Sequence, residues 1–225
     1  MNLRSVVLVA RKDLLVEARS RQTISFMFLF SFVILVMFNF GAENPFAPAV
    51  RDIAPGFLWF VFIFAGLLGL SRAFVKEKET GTLEGLRLTP ISVNEILLGK
   101  MLYNLALLLV IEVIAFPLFI ALFNFTIIGS VIDAFVVLTL GVIGLTVVGS
   151  FMSAVILGAK SKELILQIIV LPLLLPVIIP TVLSLREVMI YGTDLMEIPA
   201  ARLILAYIII MSTLSLLLFE YVMEE

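Results

Sequence analysis

Glu112 is the one ionisable residue deep inside a long uncharged run, Met101 to Phe123. An acidic group at the centre of a spanning helix costs roughly 2.5–3.5 kcal/mol on translocon scales, so such a residue is a functional candidate by default. Two readings fit it. Either its charge pairs with a partner subunit or a polar cargo during a working cycle, or it is a carboxyl hydrogen-bonded to a neighbouring helix with no part in transport. Pro117 frees the carbonyl of Val113 one turn back and predicts a bend beside it. Asp133 reads differently, because Ser130-x-x-Asp133 has the spacing of a capping box at a helix start. Other chemistry lacks its usual members. With no Cys and no His, the chain has no disulfides, thiol nucleophiles or Cys-ligated metals, and it lacks the commonest metal ligand and general base. An intramembrane enzyme would need paired carboxylates or a nucleophile with a base, and Glu112 stands by itself. A proton-coupled carrier could use Glu112, yet the two halves show no inverted repeat. No catalytic, metal-binding or cofactor-binding residues are assigned.

The elements that must position Glu112 follow from composition. Apolar side chains make up 62% of the 225 residues and charged ones 14%, against roughly 45–50% and 25% in soluble domains; this is a bilayer protein. A net charge of −2 gives no support to nucleic-acid binding. A hydrocarbon core of about 30 Å needs roughly 20 apolar residues, and six uncharged or nearly uncharged runs approach that length. They are Thr23 to Phe40, Pro55 to Leu70, Met101 to Phe123, Val131 to Leu157, Leu164 to Leu185 and Leu203 to Phe219. The second is short for a span and the fourth long enough to tilt or bend. The fold class is therefore all-α integral membrane, with six transmembrane helices in one transmembrane domain over 1–225.

Twelve Lys and Arg lie in segments 1–22, 71–100 and 158–163, whereas the opposite side holds Arg51, Arg186 and Arg202. By the positive-inside rule both termini are expected in the cytoplasm. The first run follows a basic stretch and no small-x-small cleavage site follows Phe40, so it is expected to stay as an anchor. Within 1–22, Leu3, Val6, Val7, Ala10 and Leu14 recur at helical spacing, which predicts an interfacial helix on the cytoplasmic leaflet.

Segment 71–100 is long for a connection and carries its own helix signals. Arg72 to Glu79 continues the second span, Thr80-Gly81-Thr82 breaks it, Leu83 to Leu88 forms a short apolar-faced helix, and Thr89-Pro90 stops it. Ser92-x-x-Glu95 is a capping box that starts the third span. The result is a short helix held across the cytoplasmic face, a shape suited to docking on a soluble partner.

In the fifth run Pro172, Pro176 and Pro180 fall four apart, placing three unpaired carbonyls on one face that needs cover from protein or water. The fourth run offers small residues, Gly141, Gly144, Gly149, Ser150, Ala154 and Gly158, that permit close packing, either within the subunit or across a dimer. The outer segment 186–201 mixes apolar residues with Glu187, Asp194 and Glu197 and is expected to form short helices in the outer interface, as a plain lid or as part of a surface for an amphiphilic cargo or an external membrane partner.

Phe74-x-x-Glu77-x-x-x-Gly81-Thr82-Leu83-Glu84-Gly85-Leu86, then Thr89-Pro90, then Ile96-Leu97-Leu98-Gly99-Lys100, resembles the coupling loop of multidrug and O-antigen-type ABC exporter permeases. Within that group the chain is similar to the heme-exporter B subunit (CcmB) family of cytochrome c maturation. The likeness extends to Trp59 to Arg72, Asn104, Glu112 and the proline-rich fifth span, and runs from about residue 10 to 220. One departure is Thr80, where many members carry an acidic residue. The resemblance implies an ATPase partner that grips Phe74, Glu77, Gly81, Leu83, Glu84 and Leu86, a further membrane subunit that handles heme, and a prokaryotic inner-membrane location. A second copy of the chain is also expected. ATP would act through the partner, since this chain has no G-x-x-x-x-G-K-S/T: Gly99-Lys100 is preceded five positions earlier by Asn94. Heme would be cargo, and with Met and Tyr as the only usual axial ligands present, direct ligation by this chain is not expected. A lipid, drug or polysaccharide cargo is the alternative.

Overall fold

The structure, a computed structural model, describes residues 2–41, 48–70, 85, 91–156 and 162–224. Among these it is all-helical, and six helices are long and apolar enough to cross a membrane. In chain order the helices are α1 (Leu3–Ser20), α2 (Gln22–Gly41), α3 (Pro48–Leu70), α4 (Val93–Leu122), α5 (Val131–Val155), α6 (Lys162–Arg186) and α7 (Pro199–Glu224). A π-helical turn, Glu187–Tyr191, extends α6, and a 3-10 turn, Leu195–Glu197, precedes α7. The spans alternate in direction. One end of the bundle carries α1, Lys100 and the end of α7, where Glu220 meets Asn94, here called the basic end; the far end carries Arg51, Arg186 and Arg202.

All six expected spans are present, with one correction. The second run is expected from Pro55, yet α3 begins at Pro48 and is 23 residues long, about 34 Å at 1.5 Å per residue. Arg51 and Asp52 interrupt the apolar run but not the helix, because both lie near its end where polar groups can leave the hydrocarbon. Pro55 is accommodated inside the helix. Ser92 starts α4 as the spacing predicts: its side chain accepts from Glu95 N while Glu95 reaches back to Ser92 N, a full capping box. Ser130 likewise caps α5, accepting from Asp133 N at 3.2 Å.

α5 is the central helix, touching α3, α4, α6 and α7. Its glycines permit this. A Cβ at Gly141 would lie 2.5 Å from the Trp59 ring and 2.9 Å from Thr181, and one at Gly149 would lie 2.3 Å from Leu70. The small-residue surface of the fourth run is thus used within the subunit; Gly158 lies outside the described residues. α2, in contrast, meets the bundle through one stripe spaced by four, Thr23, Met27, Ser31 and Leu35. Ile24, Ile34 and Phe38 flank that stripe and pack against the core, Phe38 stacking on Phe57, while Phe28, Leu29, Phe32, Val33 and Met37 face outward, as suits a helix solvated by lipid.

α1 is 18 residues long and packs along the start of α4. At 30 residues, α4 is about 45 Å long, so about ten residues extend beyond a 30 Å core, and α1 lies against this extension. The predicted stripe is corrected in part: Val6 and Ala10 are buried, Leu14 is partly buried, and Leu3 and Val7 are exposed. Val9, on no predicted stripe, is buried instead because Gly99 admits it; a Cβ at Gly99 would fall 2.6 Å from Val9 Cβ. Arg21 then turns the chain into α2 from the left-handed region, φ 52, its N–H donating to Glu17 O at 2.6 Å.

Candidate functional site: the polar ladder of α4

α4 carries four buried polar or charged side chains within an otherwise apolar helix: Glu95, Lys100, Asn104 and Glu112. From Glu95 to Glu112 the ladder spans about 25 Å along the axis, from the basic end to mid-helix. A buried charge persists only where partners meet it, and each rung has one from outside α4: the α1 region meets Glu95 and Lys100, and α5 meets Asn104 and Glu112. Glu95 accepts from the backbone N–H of Asn2 and from the Ser5 side chain, both on or before α1, as well as from Ser92 N at 3.3 Å. Its carboxylate therefore caps α4 and holds the N-terminus of α1. Lys100, 2% exposed, places Nζ 2.8 Å from Asp13 Oδ2. Asp13 also receives Lys12 at 3.2 Å. One turn further along α1, the buried Glu17 accepts from Ile24 N at 2.9 Å, satisfying a donor in the first turn of α2. Tyr103 of α4 shares a side-chain hydrogen bond with Thr23 of α2. Together these contacts latch α1 and the start of α2 onto α4.

Deeper in the bundle the partners come from α5. Asn104 Nδ2 donates to Ser150 Oγ at 2.9 Å, and Thr139 Oγ1 lies 2.9 Å from Glu112 Oε1 and 3.0 Å from the Phe135 carbonyl. Glu112 itself is fully buried. Three polar atoms here lack a hydrogen-bond partner among the described residues: Glu112 Oε2, Asn104 Oδ1 and, on α3, Trp59 Nε1. Each such atom costs roughly 1–3 kcal/mol, so the bundle interior holds spare hydrogen-bonding capacity in a bilayer that offers none.

Of the residues singled out by sequence, Glu112 lies on this ladder, while Pro117, five residues on, is exposed on the other side of α4. The prolines of α6 separate too. Pro180 is buried, whereas Pro172 and Pro176 are exposed, so among the described residues the proline face of α6 is packed inside only at Pro180. Tyr207 of α7 donates its hydroxyl to Leu173 O between them. Phe74, Glu77, Gly81, Leu83, Glu84 and Leu86 lie outside the described residues.

Sequence reasoning missed the Asp13–Lys100 pair and Glu17. Its trace was legible: Val6, Ala10, Asp13 and Glu17 follow one another at helical spacing, so the apolar stripe of α1 runs on into two acids on the buried face. Gly99-Lys100, which the sequence marks as a family motif that is no P-loop, has a packing role as well: the glycine admits Val9 and the lysine takes Asp13.

A family model described as CcmB protein matches residues 4–222. A protein of Rhodobacter capsulatus described as Heme exporter protein B is 30% identical over 194 residues, covering 85% of this chain and 86% of that protein. A protein of Paracoccus denitrificans with the same description is 27% identical over 206 residues, 91% of each.

Proposed function

The chain belongs to the CcmB family, and on that premise we propose that it is the membrane subunit of a heme exporter serving cytochrome c assembly, driven by a separate ABC-type ATPase. The observation that carries the reading is the match over residues 4–222 on a chain with six membrane-spanning helices. On this reading the basic end is cytoplasmic, as the distribution of Lys and Arg expects, and the membrane is the inner membrane of a prokaryote.

The polar ladder supports a mechanical role. Segment 71–100 would receive the ATPase and runs directly into Ser92 and α4. α4 does not start as an isolated helix: Glu95 and Lys100 fix α1 to its first two turns, and Asn104 ties it to α5. A push on the coupling segment would then move α1, α4 and α5 as one body, a shear of packed helices. Glu112, at the seam of α4 and α5 with one oxygen unpartnered, would be the group whose hydrogen bonding changes as the seam shifts. The chain itself hydrolyses no ATP and ligates no heme iron; a further membrane subunit would handle heme.

A second copy completes the picture. Pro172 and Pro176 leave the Ile168 and Pro172 carbonyls without their helical donors, on an exposed face. Lipid tails cannot supply those donors, which favours a protein surface there, and an identical chain is the simplest one. The deciding experiment is co-purification of the ATPase with the natural chain and with Leu83→Asp or Leu86→Asp. The reading expects the ATPase to be lost from both variants at unchanged amounts of the membrane subunit; full complex yield in both would overturn it.

A further inference from the structure

The far end of the bundle holds three arginines. Arg202 is exposed and donates to Met196 O at 2.8 Å. Arg51 of α3 and Arg186 of α6 are built differently. Both are partly buried, and each guanidinium lies over an aromatic ring, Arg51 at 5.8 Å from Phe125 and Arg186 at 5.6 Å from Tyr191. Arg51 Nη2 donates to Thr126 O at 3.1 Å. In both, Nε is buried with no hydrogen-bond partner among the described residues. Neither has a carboxylate within ion-pair distance among those residues; Asp52 is exposed, and Glu187 accepts from Thr193.

One loop joins the two. Thr126, which takes Arg51, lies two residues before Ile128, whose N–H donates to Met189 O at 3.0 Å, one turn beyond Arg186. The helices agree: Gly56 of α3 faces Val182 of α6 at 3.8 Å, so one turn outward on each antiparallel helix brings Asp52 and its neighbour Arg51 level with Arg186. Beside them stand exposed apolar side chains, Ile53, Ile128 and Tyr191. The surface thus combines two oriented cations with an apolar rim.

A guanidinium held flat by a ring is pre-organised for the two-pronged contact that a carboxylate makes with Nε and Nη together, and at both arginines Nε is the donor in want of an acceptor. We propose that Arg51 and Arg186 form an outer-face anchor for the carboxylate groups of an anionic amphiphile. The proposal rests on the heme-export reading above, since heme is a flat apolar body with two carboxylates. The ring over Arg186 belongs to Tyr191, itself exposed, so it can swing aside and open the Nε edge.

The test uses the full chain in phosphatidylcholine nanodiscs, titrated with zinc protoporphyrin IX and with its dimethyl ester, with empty nanodiscs as the blank. The diacid is expected to bind about tenfold tighter than the ester, the scale of losing a charge-assisted hydrogen bond. Arg51→Gln and Arg186→Gln should each weaken the diacid by about that factor and leave the ester unchanged. Arg186→Lys, which keeps the charge without the planar fork, should recover part of the loss, and Arg202→Gln should alter neither ligand. Equal affinities of diacid and ester, or an unaltered diacid affinity in both glutamine variants of Arg51 and Arg186, would overturn the proposal. So would loss of the diacid preference when phosphatidylglycerol replaces phosphatidylcholine, because the arginines would then be lipid-phosphate sites. None of these failures touches ATPase co-purification, which tests the export reading separately.

Discussion

Asp13→Ala should release α1 from the bundle without unfolding the six spans. Lys100 is 2% exposed with Asp13 Oδ2 2.8 Å from its ammonium, and breaking a buried pair by removing one partner costs roughly 3–5 kcal/mol. The contacts that remain on α1 are the burial of Val6, Val9 and Ala10 with Leu14 partly buried, the Asn2 and Ser5 bonds to Glu95 and the Glu17 cap on α2. These are local to α1, so the loss appears as local opening. At roughly 1.4 kcal/mol per decade, the open population should rise by about two to three and a half decades. Hydrogen exchange of the natural chain and the variant in nanodiscs reads this directly. Amides of residues 3–20 should exchange faster by roughly that factor, while those of α5 keep their protection. Asp13→Leu combined with Lys100→Met should restore protection, since replacing a buried ion pair with packed apolar groups is neutral or stabilising. Unchanged exchange over residues 3–20 in Asp13→Ala would refute the latch, as would failure of the double variant to recover.

Three further outcomes are expected. Glu112→Gln keeps shape and hydrogen-bonding capacity, so it should assemble at normal levels yet depress cytochrome c maturation, whereas Glu112→Ala should lower both; full maturation with the Gln variant would return Glu112 to a structural role. Gly141→Ala places a methyl 2.5 Å from Trp59 and 2.9 Å from Thr181, two groups packed in the core, and should cost about 1–3 kcal/mol as overpacking, read as a lower melting temperature in detergent; an unchanged melting temperature would contradict the packing at α5. Single cysteines at Leu175 or Ile179, on the exposed proline face of α6, should give disulfide-linked dimers in membranes, and monomers alone at both positions would rule out a second copy on that face.

Residue type and periodicity by themselves determined the class of this protein. Six apolar runs and the caps at Ser92 and Ser130 are local signals, because a spanning helix must satisfy its own backbone and present apolar side chains whatever surrounds it. The family was equally legible, carried by short strings such as Leu98-Gly99-Lys100. Glu112 could be picked out as costly, but its partner could not, for Thr139 lies 27 residues away and nothing local to either residue marks the pair. The same holds for Lys100 and Asp13, for Asn104 and Ser150, and for the arginines at the far end, whose aromatic platforms arrive from other segments. Tertiary structure also decided which faces of helices are inside. Period 3.6 places Pro172, Pro176 and Pro180 on one side of α6, yet the packing of α3, α5 and α7 around it leaves two of them exposed and buries the third. In a bilayer both faces of a helix are apolar, so the hydrophobic contrast that marks the inside of a soluble protein is missing, and only the polar contacts and close glycine approaches between helices tell the inside from the outside.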